Sequence, residues 1–276
     1  MSLVSFYINS HIYSIDLFRI ITIDPSILTS LIGIKIVPVE LPSSIDAMIV
    51  PSEDGRLKIL LYRSITQHER QNFSICHEIA HTFFPDCAEF IRMRASRHEK
   101  ADPEREVEVL CNIAASELLL PGDYSIDGLK KYGFSLSSVL PLSERFSASK
   151  SATIIKMVSS GIKVYAAVFL ELGHRKYVNK WGTDTAPKMR VVYTVPSPGF
   201  GYFIPRNKSV PDDSCVYVAV GTNEVTNGRE DWGIPGHPVY DVEAMYLPPL
   251  DGNDLTPRAV ALLVPIPFSS KVSGRE

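Results

Sequence analysis

The 276-residue sequence predicts an α+β protein, helix-led over residues 1–160 and strand-rich over 161–276. Three observations carry this reading. Apolar residues recur at helical spacing between Thr66 and Leu120, with both ends of each run marked. An Asp54-Gly55 pair between two β-type runs signals a hairpin just before them. Beyond about Gly161, short β-type runs alternate with Gly, Pro, Asn and Asp, and the domain boundary is expected near residue 160.

Taken in order, a short helix is expected around Ser26–Leu31, then a strand Ile34–Val37. Ala47–Val50 and Leu57–Tyr62 form the hairpin arms. Thr66-Gln67-His68-Glu69 fits a capping box, a hydroxyl at the N-cap and a carboxylate three residues on. Phe73, Cys76, Ala80 and Phe83 then follow at helical spacing until Pro85-Asp86. A second helix opens at Asp102-Pro103-Glu104, with Asp as N-cap and Pro at the first helical position, and stops at Pro121-Gly122. Residues 136–158 resemble a small helix-turn-helix unit. In the second half, strands are expected at Val164–Leu172, Met189–Val195, Cys215–Val220, Val239–Tyr246 and Ala259–Pro265.

Composition narrows the function classes. The chain is 45% hydrophobic and 21% charged with a formal net charge of −3, so it carries no electrostatic footprint for nucleic acid or an anionic membrane. No apolar run reaches the roughly 18–20 residues of a membrane span. The start lacks the basic region and apolar core of a signal peptide. Cys76, Cys87, Cys111 and Cys215 form no spaced framework, and a reduced, cytoplasmic protein is expected.

The helix that opens at Thr66 contains His77-Glu78-Ile79-Ala80-His81. Histidines four apart stand one above the other on a helix, so their imidazoles can share one metal ion. Glu78 projects beside that ion, placed to take a proton from its water, which implies a zinc hydrolase acting on peptides.

Catalytic zinc takes three protein ligands as a rule, and the second helix offers Glu104, Glu106, Glu108 and Glu117. Glu108 shares a face with Cys111, Asn112, Ala115 and Leu119, a stripe that lets the two helices pack closely. Glu106 and Glu117 point roughly 160–180° away, and Glu104 lies in the exposed first turn. Glu108 is the expected third ligand, with His98 its rival. His11, His68, His174 and His237 have no partner spacing.

The span Arg70–His81 resembles the R-x-x-F-x-x-x-H-E-x-x-H signature of ImmA/IrrE-type metallopeptidases. Glu108–Pro121 is similar to that family's E-x-x-A-N-x-F-A-x-x-L-L-M-P block, with Cys111 in place of its Ala, Ile113-Ala114 for its x-F step and Leu120 for its Met. Arg145-Phe146-Ser147-Ala148-Ser149 is similar to the R-F-x-V-S that follows. One departure is Phe84-Pro85-Asp86, where the family often has His. The resemblance implies a gluzincin-like domain over residues 1–160, with zinc on His77, His81 and Glu108 and Glu78 as general base. It also implies a site-specific endopeptidase that cleaves a regulatory protein, a transcriptional repressor, in stress response or mobile-element control. Residues 161–276 then stand as a GAF-like sensor or partner-binding module. The alternative is a metal-binding regulator that acts by protein contact without proteolysis. A DNA-binding role for residues 136–158 is disfavoured by charge.

Overall fold

Pro25 opens the first helix of a computed structural model that describes residues 25–42, 45–51, 57–62, 67–84, 102–174, 186–236, 239–249 and 255–266. Its fixed φ suits a first helical position. That helix, α1 (Pro25–Leu31), ends where Gly33 turns left-handed at φ 73° and Ile34 N donates to Thr29 O at 2.8 Å. Three strands follow, β1 (Lys35–Val39), β2 (Ala47–Pro51) and β3 (Leu57–Tyr62). They form a sheet ordered β1-β3-β2, with β3 parallel to β1 and antiparallel to β2. The expected hairpin pairing is present, Ile49 opposite Ile59, while its Asp54-Gly55 turn lies outside the described residues. Pro51 has no amide hydrogen to offer and closes β2 at the edge of the sheet, where proline is tolerated.

The motif helix is α2 (His68–His81). Its N-cap is Gln67, one residue later than the capping box on Thr66 requires. The Gln67 side chain makes no cap bond; its carbonyl accepts from Arg70 N at 2.9 Å and Gln71 N at 3.1 Å. α3 (Asp102–Leu119) packs against α2, and α2 also lies on β2 and β3. Ala80, Cys111, Ala114 and Ala115 are all but fully buried there. Small side chains on both helices permit the close approach that the Glu108 stripe leads one to expect.

After Pro121 comes a helix the sequence reading passed over, α4 (Gly122–Tyr132). Its glycines read as punctuation, but the Ser125 hydroxyl donates to Pro121 O at 2.9 Å and anchors the first turn. A 3-10 turn (Leu136–Ser138), α5 (Val139–Phe146) and α6 (Lys150–Ser159) supply the helices expected over 136–158. Between α5 and α6, Ser147 is left-handed at φ 47° and its carbonyl accepts from Asn72 Nδ2 of α2 at 3.1 Å. The chain divides into two compact units, Met1–Ser125 with Pro141–Thr153, and Ile126–Leu140 with Ile154–Glu276.

The second unit is built on an antiparallel sheet ordered β5-β4-β8-β7-β6. Its strands are β4 (Ala166–Gly173), β5 (Lys188–Pro196), β6 (Thr226–Asp231), β7 (Val239–Leu247) and β8 (Arg258–Pro265). β4 and β8 are buried on both faces, so they read as continuous apolar runs rather than alternating ones. One element corrects the sequence reading. Cys215–Val220 is not a strand but part of a helix, α7 (Cys215–Thr222). Ser214 Oγ accepts from Val216 N at 3.2 Å, and Asn223 closes the C-terminus at φ 59°. These caps and the packing of α7 on β6, β7 and β8 outweigh the β-branched run. Ala219 meets a sheet face that carries Ala166, Ala244, Ala259 and Ala261. β6 was also unforeseen; its Thr-Asn-Gly-Arg-Glu-Asp run is polar because it lies at the sheet edge.

Candidate metal centre

Helix periodicity puts His77 and His81 on one face of α2, and the packing of α3 lays Glu108 across them. His77 Nε2 lies 3.2 Å from His81 Nε2. Glu108 brings one oxygen to 3.3 Å from His77 Nε2 and the other to 3.8 Å from His81 Nε2. Tetrahedral ligands at zinc-like bond lengths stand about 3.4 Å apart. The three groups match that spacing and form the one His/Cys/Asp/Glu cluster, among the described residues, able to hold a metal ion. Their exposure is graded: the His81 side chain is 6% exposed, His77 16% and Glu108 20%, so the site is recessed yet open on the Glu108 side.

The far nitrogens of both rings are engaged. Asn112 Oδ1 is 3.1 Å from His77 Nδ1, and Cys111 Sγ is 3.3 Å from His81 Nδ1. An amide oxygen only accepts, so His77 carries its proton on Nδ1 and leaves the Nε2 lone pair bare. Two ring nitrogens and a carboxylate converge on one point, the donor types that a divalent ion takes. The donor set therefore fits a divalent ion.

Glu78 is buried, and its Oε2 accepts a hydrogen bond of 3.0 Å from Ile49 N of β2. It lies outside the ligand cluster, as its 100° offset from His77 dictates. Two turns before His81, the Phe73 and His77 ring centroids are 6.3 Å apart. Arg70 Nε donates to Asp46 Oδ2 at 2.9 Å, a second link from α2 to the start of β2.

The structure thus brings together His77, His81 and Glu108 and seats Glu78, next to His77 in sequence, against Ile49 of β2. His98, His11 and His237 lie outside the described residues, while His68 and His174 are exposed. The side chains of Glu104 and Glu106 lie outside the described ones; Glu117 lies off the cluster. Burial pushes the Cys76 thiol up to about 12, and Cys76 lies outside the ligand cluster despite its place next to His77. Cys111 and Asn112 were expected only as packing residues. Their offsets of three and four from Glu108 were the signal that they face the histidines too.

Two packed helices converge two His Nε2 atoms and a Glu carboxylate into a cluster that could hold a metal ion, within a His-Glu-x-x-His sequence. Residues 33–157 match the family model of the IrrE N-terminal-like domain. It is similar to the "Radiation response metalloprotease IrrE" of Deinococcus deserti, 24% identical over 169 residues, and to that of Deinococcus radiodurans, 24% identical over 174 residues. Each match covers 61% of this chain but only 59% and 53% of the relatives, little more than half their length. A Mycobacterium tuberculosis transcriptional regulator shares the fold at a TM-score of 0.54 and 14% identity, over 95% of this chain and 86% of that one. No helix among the described residues is long and apolar enough to cross a membrane.

Proposed function

We propose that the chain is a zinc-dependent metalloendopeptidase that cleaves a regulatory protein, a transcriptional repressor, in stress response or mobile-element control. The observation that carries this is the convergence of His77, His81 and Glu108, with Glu78 next to His77 in sequence and seated against Ile49. The match of residues 33–157 to the family model and the likeness to two radiation response metalloproteases support it.

His77, His81 and Glu108 hold the ion in this reading. A bound zinc ion acidifies its water and polarises a carbonyl. Glu78 receives the proton and passes it to the leaving amine, and the Ile49 amide keeps its carboxylate aimed. The outward edge of β2, which presents Ile49 N toward Glu78, supports an extended substrate peptide laid along that strand. In this reading residues 161–276, which carry an antiparallel sheet with a helix packed on it, serve as a sensor or partner-binding module.

Glu78→Gln tests the reading. It should keep fold and stoichiometric zinc while protein cleavage, followed as new N-termini in cells expressing wild type or variant, disappears. Full biological activity of Glu78→Gln would instead establish the second reading, a regulator acting by contact, which the fold shared with a transcriptional regulator favours.

A further inference from the structure

Cys111 is fully buried, and its sulfur lies 3.3 Å from Nδ1 of His81, itself a buried residue. A buried ring N–H needs an acceptor, because leaving it unpaired forfeits its hydration without return. His81 Nε2 points the other way, 3.2 Å from His77 Nε2 and 3.8 Å from Glu108. To ligate from Nε2 the ring must carry its proton on Nδ1, facing the sulfur.

We propose that Cys111 is a positioning residue that accepts a hydrogen bond from His81 Nδ1–H, fixing the tautomer and ring angle that deliver Nε2 to the metal; this rests on the metallopeptidase reading. Adjacent residues of one helix divide the task, Asn112 for His77 and Cys111 for His81, while Glu108 one turn earlier supplies a ligand. The similar family block has Ala here, which has no acceptor to offer, so this is a device of this chain rather than of the motif. Sulfur is a soft, weak acceptor held in place by packing: Ala80 and Ala114 bury the same helix contact.

The test measures zinc affinity of the full chain against a chromophoric chelator, with no cleavage assay. Cys111→Val keeps the volume and removes the acceptor, and should weaken zinc binding about 10–100-fold. Cys111→Ser keeps an acceptor and should recover most of that loss. Val as tight as wild type, or Ser as weak as Val, overturns the proposal. Long-range 1H–15N spectra of zinc-loaded wild type give a readout that depends on no variant: His81 should show a slowly exchanging Nδ1–H and a metal-bound Nε2, and the reverse tautomer overturns it. Loss of the metal-site reading looks different, since His81→Ala would then bind zinc as wild type does.

Discussion

Ile49 N donates to Glu78 Oε2 across 3.0 Å, joining the edge strand β2 to the helix that carries both histidines. The contact spans 29 residues of sequence. It is also the point where sheet and helix act on one functional group. A carboxylate beside a metal site is useful only if it is aimed, and a backbone amide on a paired strand aims it more rigidly than a loop can. The Arg70–Asp46 ion pair adds a second tie between the same two elements, though its exposure limits it to about 0–1 kcal/mol.

Glu78→Gln follows directly. The amide oxygen of Gln still accepts from Ile49 N, so fold and metal content should be kept. Removal of the proton acceptor should lower turnover by about 10²–10⁴-fold. Glu78→Ala should lose activity equally and, with the Ile49 amide left unpaired, cost a further 1–3 kcal/mol or so in urea unfolding. A Glu78→Gln enzyme with near wild-type turnover would refute the assigned base.

Removing metal should destabilise the protein. With free metal at about 100 times its Kd, a native-state site contributes about 2.7 kcal/mol. The ion would join three groups that lie 3.2–3.8 Å apart on two helices. A strong chelator should therefore lower the melting midpoint of wild type by several degrees and leave His81→Ala unmoved. Equal shifts in both proteins would place the metal elsewhere.

Periodicity made this site legible to the extent that it is local. The four-residue offset of His77 and His81, and the face shared by Glu108 with Ala115, are properties of single helices. The Ile49–Glu78 and Cys111–His81 contacts join residues 29 and 30 apart, and no residue type announces them. The same divide runs through the fold. β4, β5, β7 and β8 follow from apolar runs between breakers. In α7, Val216, Val218 and Val220 weigh toward a strand, while Asp212-Asp213-Ser214 and Asn223 mark the helix ends. β6 lacked an apolar signal altogether, being held by its ladder to β7.

Glu243 gives the second unit a pH dependence of known sign. Burial pushes its carboxyl above the usual range, although the Leu136 and Ser137 amides and the Lys163 charge pull it down. The native state then holds a proton that the unfolded chain has released. Stability from this group is fullest below about pH 4.3 and falls as pH rises toward the raised native value. Glu243→Gln, which still accepts from Leu136 N, should flatten that segment of a melting-point curve taken from pH 4 to 7 or so. A variant less stable than wild type at pH 7 but not at pH 4 contradicts the sign.

Glu230 and Cys215 define the strongest structural test in the second unit. Glu230 Oε1 accepts from Cys215 N, the first residue of α7, at 2.7 Å, and Oε2 accepts from Trp232 Nε1 at 2.8 Å. A negative group at a helix start also complements the helix dipole. The fit is close: a Cβ added at Gly228 would stand 3.0 Å from Oε1. Trp232 is 2% exposed, so its N–H has little access to water once the carboxylate is gone. Glu230→Ala strands both donors and should cost about 2–4 kcal/mol in denaturant unfolding. Glu230→Gln keeps one oxygen but turns an amide N–H toward the second donor, and should fall between the two. Gly228→Ala, which crowds the same carboxylate, should add little to the loss in the Glu230→Ala background; full additivity would show that Gly228 is constrained by something other than Glu230.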